Sequence, residues 1–374
     1  MMKFSAMVLA SLLLMTSCAH LKGTPSSEPA TPAVTPGNGT ATPPAATPAA
    51  PAKTENGKSA EVAKAPAPKP TVKPESLDKP DTSLHPRGID FGATIRTIAF
   101  GSGANQDLPQ PLWNGIAANN PDLFLFMGDS VKPGKDAKSL KAAYAKMDLI
   151  PEYRAFREKV PFMATWDDQD YNAKDFVKYW TYVGNSTSFG QKGIYHSKII
   201  GPKKKQVQII MLDTRSFKTA PDDPKATILG DMQWDWFEAQ LKRQAQVRII
   251  VTSFPLIPAE HGTDKWGSYP KERQRFFDLL KKTGANNLFV ASGDRRQSSI
   301  SKTGVKDWGM LFEVTASPIN EPAAAAEDDA SFEGQGAAVE SFGYAQIDWQ
   351  GRKMSLQIRD GSNKVLNSVS FKIR

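Results

Sequence analysis

Short apolar runs recur from residue 94 onward, each the length of a strand: Thr94–Ser102, Asp122–Asp129, Val160–Asp168, Lys205–Asp213, Val247–Phe254 and Asn286–Asp294. Between them lie stretches with helical periodicity, "DAKSLKAAYAKM", "GDMQWDWFEAQLKRQ" and "PKERQRFFDLLKKTG". The last opens on Pro270 and closes on Gly284, which suits a helix start and stop. After about residue 308 the helical pattern ceases. "GYAQIDW", "KMSLQIRD" and "KVLNSVSFKI" alternate apolar with polar positions and predict an antiparallel meander. The segment from Asn320 to Val339 predicts a flexible surface loop. The sum is an α/β fold with sheets sandwiched between helices.

The first part of the chain has a different pattern. Lys3, an apolar stretch from Phe4 to Met15 and the ending "LMTSC" predict an export signal at residues 1–18, too short to span a membrane as a mature helix. The ending resembles a bacterial lipobox, which makes Cys18 the expected lipidation site. Residues 19–88 contain 14 of the 28 prolines, and no aromatic residue. Such a segment buries too little apolar surface to offset its ordering entropy and predicts an extended tether. Residues 89–374 are long enough for one large domain or two close lobes. Ala19 after the expected acylated Cys points to the outer membrane, facing the periplasm or the surface. Cys18 is the sole cysteine, so no internal disulfide is available and the core must hold the fold.

Charge narrows the partners. About +6 of the formal +8 falls on residues 91–374, scattered except for "GPKKKQ" at Gly201–Gln206. Three lysines in a loop suit a solvated turn, and no nucleic-acid partner is expected.

Several apolar runs end in aspartate: Asp129, Asp167 with Asp168, Asp213 and Asp294. Ligands in open α/β sheets gather at the carboxyl ends of strands, where converging carboxylates hold hard cations. An Asp after a strand also caps helices and makes turns. Taken together, Asp129, Asp168 and Asp294 point to a common site, with Asp167 and Asp170 nearby.

The motifs resemble the alkaline phosphatase D (PhoD-like) branch of the metallophosphoesterases. "IAFGSGANQDLPQPLWNGIAANNPDLFLFMGDS", "FMATWDDQDYNAKD", "MLDTRSF", "LFVASGDRR" and "FGYAQIDW" occur in the family's order over most of residues 94–374. The resemblance implies a four-layer αββα metallophosphatase sandwich with a C-terminal antiparallel meander. It also implies phosphoester hydrolysis at a multinuclear site holding ions such as iron and calcium.

The departures change that expectation. Gly103 stands where the family has a cysteine ligand, Lys132 where it has a tyrosine, and Gln169 and Arg296 where it has histidines; Lys174 replaces an asparagine. Asp129, Asp168 and Asp294 remain as ligand positions. Gln169 is unable to serve as a general acid. Histidines are confined to His20, His85, His196 and His261, outside the aspartate motifs. Charged Lys and Arg do not ligate metals. Lys132, Arg296 and Lys174 therefore read as replacements for a metal's charge and as contacts for phosphate or another anion. The sequence reading is a catalytically degenerate envelope lipoprotein with no resident cofactor, binding an anionic ligand or an unknown protein partner. The alternative is a phosphoesterase with an altered metal set. Asp213, Trp234, Trp266 and Arg273 are assigned to framework.

Overall fold

The computed structural model describes residues 83–134, 139–171, 173–180, 191–260 and 264–374. The expected signal, Cys18 and nearly all of the expected tether lie outside the described residues. The described residues cluster as one compact unit.

Two six-stranded sheets pack face to face. The first contains β1 (Thr97–Gly101), β2 (Leu123–Met127), β3 (Phe162–Thr165), β10 (Ser341–Asp348), β11 (Lys353–Asp360) and β12 (Val365–Lys372), in the order β12-β11-β10-β1-β2-β3. β1, β2 and β3 are parallel, and the last three strands form the antiparallel meander on the β1 side. The second sheet contains β4 (His196–Ile200), β5 (Val207–Met211), β6 (Val247–Val251), β7 (Leu288–Ser292), β8 (Ser298–Val305) and β9 (Gly309–Ala316), in the order β4-β5-β6-β7-β9-β8. Here β5, β6, β7 and β9 are parallel, and β4 and β8 close the edges antiparallel.

The central strands are mostly apolar because both of their faces are buried, with Gln208 in β5 and Arg248 in β6 as exceptions. Side chains alternate across a strand. Thus Ile98, Phe100, Leu123, Leu125 and Met127 meet Ile209, Met211, Ile249, Val251 and Phe289 between the sheets. Their neighbours Ala99, Phe124 and Phe126 point outward, under Trp113 of α1 (Leu112–Ala117) and Phe156 of α3 (Pro151–Lys159). Ile210, Ile250 and Val290 point outward from the second sheet, under α5 (Gly230–Leu241) and α6 (Pro270–Thr283). Helices α2 (Ser139–Met147) and α4 (Ala173–Tyr179) complete the cover of the first sheet. The result is the αββα sandwich, with the meander at its C-terminal end.

Helix α6 follows its sequence signals. Pro270 occupies its first turn, and Gly284 ends it at φ +64, its amide donating to the Leu280 and Lys281 carbonyls. Its buried Glu272 accepts from Trp234 Nε1 at 2.9 Å and from the Ile228 amide at 2.8 Å, tying α6 to the start of α5.

β4, β8 and β9 are additions to the strands expected from the pattern. β8 escapes the apolar count because its buried positions include Ser298, Ser299 and Ser301. Residues 320–339 do run as a loop, attached to β8 by bridges at Ser298–Ala337 and Ser301–Phe332.

Candidate metal and anion cleft

The parallel strands bring their carboxyl ends to one edge of the sandwich, and the aspartates converge there. Asp129 follows β2, Asp167 and Asp168 follow β3, and Asp294 follows β7. Each offers an oxygen, and these oxygens lie within 4.8 Å of one another. Asp129 and Asp294 both adopt left-handed backbone, at φ +51 and +69. That conformation is uncommon for a residue with a side chain, and such strain concentrates at functional sites. Gly128 precedes Asp129 at φ +96, where a Cβ would lie 2.5 Å from that of Asp167, so only glycine lets the β2 and β3 ends approach so closely.

Asp170 holds the arrangement together. Its carboxylate accepts from the Asp167 amide at 2.8 Å, the Ser130 amide at 2.8 Å and the Ser130 hydroxyl at 2.7 Å. Burial raises its pKa to about 6 in spite of these bonds, and Asp167 adds repulsion. Asp129 and Asp294 are raised as well. Burial is the first cause for both; repulsion from Asp167 follows, joined by Asp168 and, at Asp129, by Asp170.

The cation that meets this cluster is Arg215, two residues beyond the end-of-strand Asp213. Its guanidinium contacts Asp167, lies 4.0 Å from Asp168 and pairs with Asp264 at 2.5 Å. Burial opposes its charge, but Asp167 and Asp264 outweigh that and hold it protonated. Asp264 also accepts Lys218 at 2.6 Å. Arg215 therefore compensates Asp167 but leaves Asp129 and Asp294 without a cation in contact among the described residues.

Here the charge-replacement expectation is corrected. Lys132 and Arg296 do line the cleft, with Gly103, Asp129, Gln169, Asp294, Ser317 and Glu321. Yet their ion pairs go to Glu321, at 2.6 Å from Lys132 and 3.7 Å from Arg296, and not to the aspartates. The reason is geometric. Lys132 and Arg296 are partly exposed at the rim, as Asp168 is, while Asp167 is buried beneath them and Asp129 and Asp294 lie between. Lys174 is exposed on α4 and is not among the residues lining the cleft. Gln169 packs over the floor, its amide donating to Asp129 at 3.2 Å and its side chain to Asp168 at 3.2 Å.

The framework residues do structural work. Asp213 accepts from Trp166 Nε1 at 2.8 Å, the Ile194 amide at 2.8 Å and the Ser216 hydroxyl at 2.6 Å. Trp266 donates to Thr252 at 3.0 Å, and Arg273 donates to the Leu256 and Ile257 carbonyls. His196 is buried away from the aspartates, with Nδ1 on the Ile194 carbonyl at 2.8 Å; burial lowers its pKa to about 4. His20 and His261 lie outside the described residues.

The floor fits a hard cation. Its donors are all oxygens, as magnesium and calcium prefer. Asp167 Oδ2 is buried and without a hydrogen-bond partner among the described residues, and burial and mutual repulsion disfavour the charged forms of Asp129 and Asp294 beside it. A softer metal is not served, because no histidine or cysteine joins the cluster among the described residues. Gly103 reinforces this. It sits at φ +69, and a Cβ there would lie 2.9 Å from Ser317 Oγ, so a cysteine at this position is sterically disfavoured.

Comparisons agree with the architecture. The family model described as PhoD-like phosphatase matches residues 180–361. No curated protein sequence matches the chain. Among solved structures, one of PhoD superposes with a TM-score of 0.60 at 14% identity, covering 75% of this chain and 70% of that one. A Plasmodium protein, GAP50, described as the anchor in the inner membrane complex, gives 0.52 at 12% identity over 75% and 90% of the two chains. A purple acid phosphatase from yellow lupin seeds gives 0.51 at 10% identity over 75% and 54%. These likenesses establish the metallophosphatase-like fold.

Proposed function

The chain is PhoD-like in family and metallophosphatase-like in fold, and from that premise we propose that its cleft binds rather than hydrolyses. The floor of Asp129, Asp167, Asp168 and Asp294 takes one hard divalent cation. The rim of Lys132 and Arg296 takes an anion of the phosphate class, by charge-assisted hydrogen bonds. A cation held by the four aspartates would supply positive charge toward that anion. The chain's own residues position the carboxylates through Asp170 and Arg215 and close the floor with Gln169.

One observation carries the reading. The positions where the resemblance calls for a thiolate and two imidazoles, Gly103, Gln169 and Arg296, all line this one cleft. None of them offers a soft-metal ligand, and none transfers a proton near neutral pH. With Glu321 in place the cleft leaves about 20 Å³ of room, about the space of one water molecule.

Residues 1–18 and Cys18 support export and lipid anchoring in this reading, with residues 19–88 as a tether. No helix among the described residues is long and apolar enough to cross a membrane. GAP50 supplies a precedent on this fold for a protein described as an anchor. The second reading, hydrolysis with an altered metal set, is favoured by the intact aspartate cluster alone. The deciding experiment incubates the purified protein with magnesium, calcium, manganese or iron and assays a generic phosphomonoester and phosphodiester. Background rates with each ion are expected. Turnover that disappears in Asp129→Ala would establish the second reading.

A further inference from the structure

Glu321 occupies a position that the anion-binding reading leaves unexplained. Its Oε1 lies 2.6 Å from Lys132 Nζ and 3.7 Å from Arg296 Nη1. Lys132 comes from the chain after β2 and Arg296 from the chain after β7, in different sheets, so one carboxylate oxygen bridges the two walls of the cleft. An oxygen shared between an ammonium and a guanidinium is what a bound phosphate would present there.

The backbone sets that carboxylate in place. The neighbouring Asn320 is buried; its Oδ1 accepts from the Asn105 amide at 2.8 Å, and its Nδ2 donates to the Asn105 carbonyl at 2.9 Å and the Pro109 carbonyl at 3.1 Å. On the other side, the Ala323 amide donates to the Arg296 carbonyl at 2.8 Å. Glu321 is therefore held between two fixed points and is not carried on the free tip of a loop. Its side chain helps to line the cavity and so contributes to the narrowness described above. Its grip is weak, because Lys132 and Arg296 are 37% and 50% exposed at their side chains, and exposed ion pairs contribute little.

We propose that Glu321 is a built-in competitor for the anion: its carboxylate fills the Lys132–Arg296 subsite until a phosphate-class ligand displaces it. The inference rests on the reading of this rim as an anion site and adds its regulation. Two cations pair directly with one carboxylate, so a phosphate carrying more charge than a carboxylate has a reason to displace it. Carboxylate ligands, which only match Glu321, have less.

The test is calorimetric titration of inorganic phosphate, at constant ionic strength and with chelator present, into the parent, Glu321→Gln, Glu321→Ala and Arg296→Ala proteins. Removing the competing charge is expected to tighten phosphate binding by about two- to fivefold in both Glu321 variants. Arg296→Ala is expected to weaken it, and Glu321→Gln combined with Arg296→Ala is expected to lose the gain. If Arg296→Ala weakens binding but neither Glu321 variant tightens it, the competitor role falls while the anion site stands. If neither the parent nor the Glu321 variants bind phosphate at millimolar concentration, both fall.

Discussion

The floor and the rim of the cleft hold charges of the same kinds on different terms. On the floor, Arg215 is nearly buried, with 9% of its side chain exposed, against an Asp167 that is fully buried. At the rim, Lys132, Arg296 and Glu321 remain in reach of water. Buried charges left without partners are expensive; exposed pairs contribute about 0–1 kcal/mol. A cation's place in depth, more than its nearness in sequence to an aspartate motif, therefore decides what it does. The floor is where stability depends on charge balance, and the rim is free to exchange partners.

The sharpest way to break this contrast is Arg215→Ala. It leaves Asp167 buried and unpaired and should destabilise the protein by about 3–5 kcal/mol, read by denaturant unfolding. Pairing it with Asp167→Asn should recover part of the loss, since the orphaned charge goes too. An Arg215→Ala protein as stable as the parent would move the charge balance elsewhere.

The pH dependence sharpens the contrast next. Asp170 is raised to about 6, and Asp129 and Asp294 are raised as well. Their folded pKa values lie above the ordinary unfolded carboxyl value of about 3.9. The folded state thus binds more protons, and this contribution is fully present below the unfolded value and lost as pH rises through the folded values. In chelator, the melting temperature of the parent should fall as pH rises from about 4 through about 6 and beyond, as the raised carboxyls lose their protons. Asp170→Asn should show a shallower fall. A flat profile in chelator would mean that the floor carboxylates are already compensated.

The smallest effect belongs to the rim. Arg296→Ala should change stability by no more than about 1 kcal/mol. A loss as large as that expected for Arg215→Ala would place Arg296 among the floor carboxylates after all.

The sequence carried the central strands openly, because strands buried on both faces read as nearly continuous apolar runs, interrupted here only by single polar residues such as Gln208 and Arg248. β1, β2, β3, β5, β6 and β7 all fall inside such runs. β8 was hidden, since Ser298, Ser299 and Ser301 are polar letters at buried positions. Asp129, Asp168 and Asp294 were legible as a group, each sitting after an apolar run. Their true counter-charge was not. Arg215 sits in "LDTRS", which reads equally well as framework, and its one usable signal was a charged residue just beyond another strand-ending aspartate. Lys132 and Arg296 were visible as cations at the site, but their partner Glu321 is 189 residues from Lys132 along the chain. Only the folded arrangement joins them.

The most direct test of the account is thermal unfolding of the chelator-treated parent at about pH 8 as calcium is titrated in, beside Asp294→Asn and Arg296→Ala. A saturable rise in melting temperature is predicted for the parent and for Arg296→Ala, as expected when a ligand binds only the folded state. In Asp294→Asn the rise should be lost or greatly reduced. A parent whose melting temperature ignores calcium and magnesium alike would contradict the cation floor.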